Sequence, residues 1–260
     1  APVAEALDAI RAADVILSLD WVDLAGTLAK QVGEHKASVI QVTVDHQLHN
    51  GWSLDYQGLP PIDVLLACEP DTAVAALLDA LGPGKATLAA RAASDFKPAG
   101  DKLNVDHVAV ALRKALGNRT VSLTHLPLSW DGRSWPFRHP LDYLGGDGGG
   151  GIGGGPGISV GAALALKGSG RMAVAICGDG DFLMGATAIW TAAHYRIPLL
   201  MVVANNRSFF NDELHQERVA RMRNRPIENR WVGQRISAPD IDIAAIARAQ
   251  GATAFGPVTE

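Results

Sequence analysis

The sequence predicts an α/β protein built as two three-layer α/β/α units with mostly parallel sheets. Short apolar runs alternate with segments of helical spacing along the whole chain. Those runs carry few polar interruptions, as expected of parallel strands covered on both faces. The alternation fails once, in "KATLAARAASDFKPAGDK", where Pro98 and Gly100 mark a linker. Residues 1–90 and 105–260 are therefore read as two domains joined by a linker at 91–104.

In the first domain, "VAEALDAIRAA" has helical spacing, while "DVILSLD", "SVIQVTVD" and "PIDVLLAC" read as strands. "DTAVAALLDALG" is a helix ended by Gly82. In the second, "VDHVAVALRKALG" is a helix with Asn104 as N-cap and Gly117 past its end. "TVSLTHL", "RMAVAIC" and "PLLMVVAN" are strands, and a glycine-rich loop, Leu144–Gly157, leads into the small-residue helix "ISVGAALALK". "FLMGATAIWTAAHYR" is one helix, with Trp190 read as core and His194 as a group stabilising its end. Arg207–Arg235 reads as a charged surface helix, and "APDIDIAAIARAQG" as a helix capped by Ser237. "ATAFGPVTE" is where a further strand would begin; both ends are expected to be cut from a longer pattern.

Composition narrows the function. The chain has 260 residues, 48% hydrophobic and 19% charged, enough to bury a substantial core. A net charge of −4 offers no general attraction to nucleic acid or anionic membranes. No apolar run approaches the ~20 residues that span a bilayer. Two cysteines, Cys68 and Cys177, form neither a disulfide framework nor a metal cluster and suit a reducing cytosol. A soluble, cytoplasmic protein is expected.

The stretch Ala175–Phe210 carries the chemistry. A Gly-Asp-Gly (Gly178, Asp179, Gly180) follows one strand and an Asn-Asn (Asn205, Asn206) follows the next. Alone, each is an ordinary polar turn. In one βαβ unit, both fall at the carboxyl edge of neighbouring parallel strands, where ligands of open α/β sheets bind. A carboxylate and an amide oxygen converging there are hard ligands suited to a magnesium-like ion. The intervening helix would turn free N–H groups towards an anion. A metal-bridged phosphate group is the expected ligand.

These residues resemble the signature of thiamine diphosphate enzymes, in the acetolactate synthase, benzoylformate decarboxylase and pyruvate decarboxylase group. "GGIGGGPGISVGAALAL" resembles that group's glycine-rich segment, and "AADVILSLDWVDLAGT" with "SVIQVTVD" its middle domain. The resemblance implies thiamine diphosphate and Mg2+ as cofactors. It implies Asp179, Asn206 and the Ser208 carbonyl as metal ligands, and Gly178, Gly180 and Asp181 at the diphosphate. It places His125 and Leu126 beside the diphosphate and Ile152 as the apolar wedge that bends the cofactor. Phe209 and Phe210 would wall the pocket, and Asn211, Glu213 or His215 would face substrate. Where relatives carry a small or hydroxyl residue after GDG, this chain has Asp181, whose carboxylate would repel a diphosphate unless turned away. The activating glutamate comes from an N-terminal pyrimidine-binding domain, usually of a neighbouring subunit, so a fragment or half of a split enzyme is expected. A homodimer or homotetramer acting on a 2-oxo acid, aldehyde or 2-hydroxy ketone follows.

Two other readings stay open. A degenerate, non-catalytic cofactor-binding module is motivated by Asp181 and the missing domain. An NAD-binding Rossmann oxidoreductase is motivated by Gly148–Gly153, which fits GxGxxG, although "PLDYL" before it makes a poor strand. His46 and His49 read as a surface turn, for want of a third ligand.

Overall fold

The computed structural model describes residues 4–21, 23–45, 58–82, 84, 96–145 and 151–259. The chain forms two compact units, Ala1–Ala90 and Arg91–Glu260. Gly146–Gly150, His46, His49 and most of the linker's first half lie outside the described residues. No helix among the described residues is long and apolar enough to cross a membrane.

The first unit runs α1 (Ala4–Ala12), β1 (Val15–Leu19), α2 (Leu24–Gly26), β2 (Ser38–Val42), β3 (Val64–Leu66) and α3 (Pro70–Leu81). The strands are parallel in the order β1-β2-β3, with Val15 beside Ser38 and Ile40 beside Val64. The crossover from β1 to β2 is helical: Asp23 caps α2 by accepting the Gly26 N–H at 3.0 Å, and a π-helix continues it over Thr27–Val32. Leu24, Leu28, Val32 and Val39 form the core of this crossover. β1 is less covered than a fully buried strand, since Val15, Leu17 and Leu19 remain 42–51% exposed. Gly82 ends α3 in the left-handed region at φ +67°, which a residue with a Cβ rarely adopts.

The second unit runs α4 (Val105–Leu116), β4 (Val121–His125), α5 (Gly154–Ala165), β5 (Met172–Gly178), α6 (Asp179–Gly185), α7 (Ala188–His194), β6 (Leu200–Ala204), α8 (Phe210–Met222) and α9 (Ile243–Ala249). β4, β5 and β6 are parallel neighbours in that order. Asn104 caps α4, its Oδ1 accepting the N–H groups of Asp106 and His107. Leu116, Val121, Leu123, Trp135, Val174 and Ile176 fill one face of the sheet. Ala175, Cys177, Phe182, Ala186 and Ile189 fill the other. β5 is buried along nearly its whole length, as its unbroken apolar run demands.

Several elements differ from the sequence expectation. α5 begins at Gly154, inside what reads as loop, because Gly153 supplies a left-handed turn at φ +97° and Pro156 fits a first turn. The helix after GDG is two helices, α6 and α7, and α6 already starts at Asp179. Trp190 is not core: it is 54% exposed and stacks on His194 with ring centroids 4.7 Å apart. α9 is capped by Asp242, whose carboxylate accepts the Ala245 N–H at 2.8 Å, so Ser237 is not its cap. Residues 252–259 pair with no strand among the described residues.

Candidate functional site

The sheet register brings the two polar turns together. Cys177 lies beside Val203 and Gly178 beside Ala204, so β5 and β6 release Asp179 and Asn205 from one edge. Two successive side-chain turns shape the second segment: Asn205 Oδ1 accepts the Arg207 N–H at 3.1 Å, and Asn206 Oδ1 accepts the Ser208 N–H at 3.0 Å. Arg207 takes the left-handed region at φ +57°, which bends the chain back over Asp179.

Asp179 is 2% exposed, and its Oδ2 is buried and accepts no hydrogen bond. Burial pushes its carboxyl above the ordinary value; backbone N–H groups of Gly180, Arg207 and Ser208 pull the other way without offsetting it. A buried, unpartnered carboxylate oxygen costs several kcal/mol unless a cation or proton meets it. It lies at the sheet edge from which Asn206 also leaves, and a carboxylate oxygen with an amide oxygen is the kind of hard donor set that suits a divalent cation such as Mg2+.

Gly180 is required by packing. A Cβ there would lie 2.2 Å from Cε1 of Phe209, so the ring rests directly on the GDG backbone. Phe210 opens α8 and is 46% exposed. Ile152 is 44% exposed just ahead of α5. Leu126 turns inward and packs against the Leu123–Val174 core, leaving its backbone at the strand end.

The Asp181 side chain reaches the start of α5 and the end of β4. Its Oδ1 accepts the N–H groups of Gly153 at 2.7 Å and Gly155 at 3.3 Å. Its Oδ2 lies 3.1 Å from His125 Nε2. Burial raises the Asp181 carboxyl, but His125 and the two glycine N–H groups outweigh it and hold the group below its ordinary value. Cys177 completes a cluster whose ligand atoms with His125 and Asp181 all lie within 4.8 Å. The thiol is fully buried and pushed far above its ordinary range, first by burial and then by the Asp181 charge, so it stays protonated. Sequence reading passed over Cys177, because a cysteine inside an apolar strand carries no local signal of its partners.

Glu213 does not face a substrate pocket. It is 3% exposed, accepts the Ser208 hydroxyl hydrogen bond, and lies 3.4 Å from Arg235 Nε and 3.9 Å from Arg230 Nε. Ser208 bridges Arg235 in antiparallel fashion, and Phe209 N–H donates to the Gln234 carbonyl at 2.9 Å. The Arg207–Arg235 segment is thus partly a clamp on the Asn206 turn. Asn211 and His215 are exposed.

The opposite, amino edge of β4 bears a cavity of about 550 Å³ lined by Arg113, Lys114, Arg119, Arg138 and Trp135. Gly153 and Gly155 stand at the other end, beside His125, and the segment before the glycines is a 3-10 turn, Pro140–Asp142. Among the described residues, the lining of this cavity includes no strand–glycine–helix arrangement of the kind a dinucleotide uses.

Residues 128–260 match the model for the thiamine pyrophosphate enzyme, C-terminal TPP binding domain, over about half of the chain. The chain belongs to the thiamine pyrophosphate enzyme family. This thiamine pyrophosphate enzyme domain is similar in structure to a Rhodococcus jostii RHA1 thiamine diphosphate-dependent 4-hydroxybenzoylformate decarboxylase. The TM-score is 0.67 at 21% identity, covering 94% of this chain and 44% of that one. It is also similar to an X-ray structure from Mycobacterium smegmatis assigned as a thiamin diphosphate-dependent enzyme, with TM-score 0.63, 23% identity, and 94% and 43% coverage. No curated protein sequence matches closely enough to count as a relative. The thiamine pyrophosphate enzyme chain thus spans less than half the length of the solved structures it matches.

Proposed function

We propose that this chain is the diphosphate-binding part of a thiamine diphosphate- and Mg2+-dependent decarboxylase, lyase or carboligase acting on 2-oxo acids or 2-hydroxy ketones. The carrying observation is the buried, unpartnered Asp179 Oδ2 beside the Asn206 turn, in a domain of this family. Asp179, Asn206 and the Ser208 carbonyl would hold the metal, and the backbone of Gly178, Gly180 and Asp181, with His125 and Leu126, would meet the diphosphate. When bound, the cofactor supplies a carbon nucleophile and an electron sink for bond cleavage next to a carbonyl. This chain's own contribution is positional. Phe209 covers the GDG backbone, the exposed Ile152 would offer the cofactor an apolar edge, and the Glu213 clamp fixes the turn that would bear metal ligands. The resemblance to such enzymes supports a cytoplasmic homodimer or homotetramer in which a pyrimidine-binding domain, from elsewhere in the protein or a partner, completes the site.

Calorimetry on the complete assembly tests this. Thiamine diphosphate should bind only with a divalent metal, and Asp179→Ala should abolish that binding. Equal affinity with and without metal would refute the assignment.

A further inference from the structure

Asp181 stands where a carboxylate should repel the diphosphate, yet it joins three elements. Its Oδ1 takes the N–H groups of Gly153 and Gly155 at the start of α5, and its Oδ2 faces the His125 ring at the end of β4. Asp181 itself sits in the first turn of α6. The side chain is 14% exposed, so these contacts are shielded from water.

The glycines around it are shaped to the same contact. A Cβ on Gly155 would lie 2.0 Å from Asp181 Oδ2 and 2.8 Å from His125 Nε2. A Cβ on Gly185 would lie 2.5 Å from the Gly153 carbonyl oxygen and 3.0 Å from Pro156. Gly153 adopts φ +97°, and a Cβ there would meet Met184 Cβ at 2.9 Å. The turn at 153–156 is therefore seated on α6 through notches at Gly153, Gly155 and Gly185, and Asp181 is a polar clasp between them. It also meets the Gly155 N–H in the first turn of α5, whose N-cap, Gly153, has no side chain to do so.

We infer that Asp181 is the positioning residue of the diphosphate cradle, its carboxylate locking the Gly153–Gly155 backbone and the His125 ring in the arrangement that receives the anion. This rests on the thiamine diphosphate reading above. Asp181 takes the Gly155 N–H in the first turn of α5 and the Gly153 N–H just ahead of it. The contact also explains why a hydroxyl residue, common after GDG elsewhere, is replaced here: a serine side chain is too short to reach both the 153–155 backbone and His125.

The test measures thiamine diphosphate affinity in the presence of Mg2+ by calorimetry, and hydrogen exchange of the 151–158 backbone without cofactor. Both are run on the full chain and on Asp181→Ala, Asp181→Asn, Gly155→Ala and Asp179→Ala. Asp181→Ala and Gly155→Ala should each weaken affinity about 10- to 100-fold, the usual effect of losing a group that orients ligands. Both should speed exchange at 151–158. Asp181→Asn keeps an oxygen for the glycine N–H groups and should recover much of both properties. Asp179→Ala should abolish metal-dependent binding while leaving the exchange of 151–158 unchanged. Wild-type affinity in Asp181→Ala, whatever its exchange, would overturn the inference alone. Failure of the wild-type protein to bind thiamine diphosphate would overturn the functional reading, and this inference with it.

Discussion

The Glu213 carboxylate is closed in by the Ser208 hydroxyl, Arg235 and Arg230, so its loss is a matter of stability before it is one of substrate recognition. A hydrogen bond to a charged group contributes about 1.5–3 kcal/mol, and the two arginines can regain water because they are themselves half exposed. Glu213→Ala should therefore cost about 2 kcal/mol in urea unfolding, and should weaken metal binding through the loosened Ser208 turn. A substrate-facing Glu213 would instead raise KM with an unchanged unfolding midpoint, and that result would reject the clamp. The contrast with Asp179 is instructive. The place of Asp179 at the end of β5 was legible because the GDG turn directly follows an unbroken apolar run. Glu213 was not, because its partners Arg230 and Arg235 lie up to 22 positions away in a stretch with no periodic signal.

Elements with strong local signals matched the reading: α3 and α4 by their periodic apolar faces and glycine ends, α4 by its Asn104 cap, and β4, β5 and β6 by buried runs. Helix starts governed by distant groups did not, as with α5, whose first turn is held by Asp181. The 3-10 turn Pro140–Asp142 is another such case. Asp142 pairs with Arg171 at 2.5 Å, and Arg171 also donates to the Val121 carbonyl and the Ser122 hydroxyl, joining the turn to β4 just ahead of β5. Burial raises the Asp142 carboxyl, but the N–H groups of Arg138 and His139 and the Arg171 guanidinium outweigh it, and its folded value lies below the ordinary one. A depressed carboxyl contributes stability above its unfolded pKa of about 3.9 and loses it as pH falls through the folded value. Asp142→Asn should therefore be less stable than wild type at pH 7 in urea titrations, with the gap closing as pH drops below about 4. A gap of constant size across that range would show that the charge of Asp142 contributes nothing.

The two units have separate parallel sheets, and every residue of the proposed cofactor site lies in Arg91–Glu260. Helix and strand signals lapse together in the sequence near 91–104, whereas isolated motifs say nothing about which sheet they share. What the pattern could not convey is how little of the site depends on long side chains. Gly178, Gly180, Gly153 and Gly155 present backbone, and Asp179, Asp181, His125 and Phe209 fix where that backbone lies. A site made this way should tighten locally when filled. Ligand bound only to the native state stabilises it by RT ln(1 + [L]/Kd), about 2.7 kcal/mol at a hundredfold excess over Kd. With thiamine diphosphate and Mg2+, hydrogen exchange should slow at 123–126, 151–156, 178–182 and 205–210, four segments far apart in sequence. The strands 15–19 and 38–42 of the first unit should keep their rates, because none of their residues belongs to the cradle. Protection centred on 15–42, or on the basic cavity at Arg113 and Arg119, would place the cofactor elsewhere and reject the site.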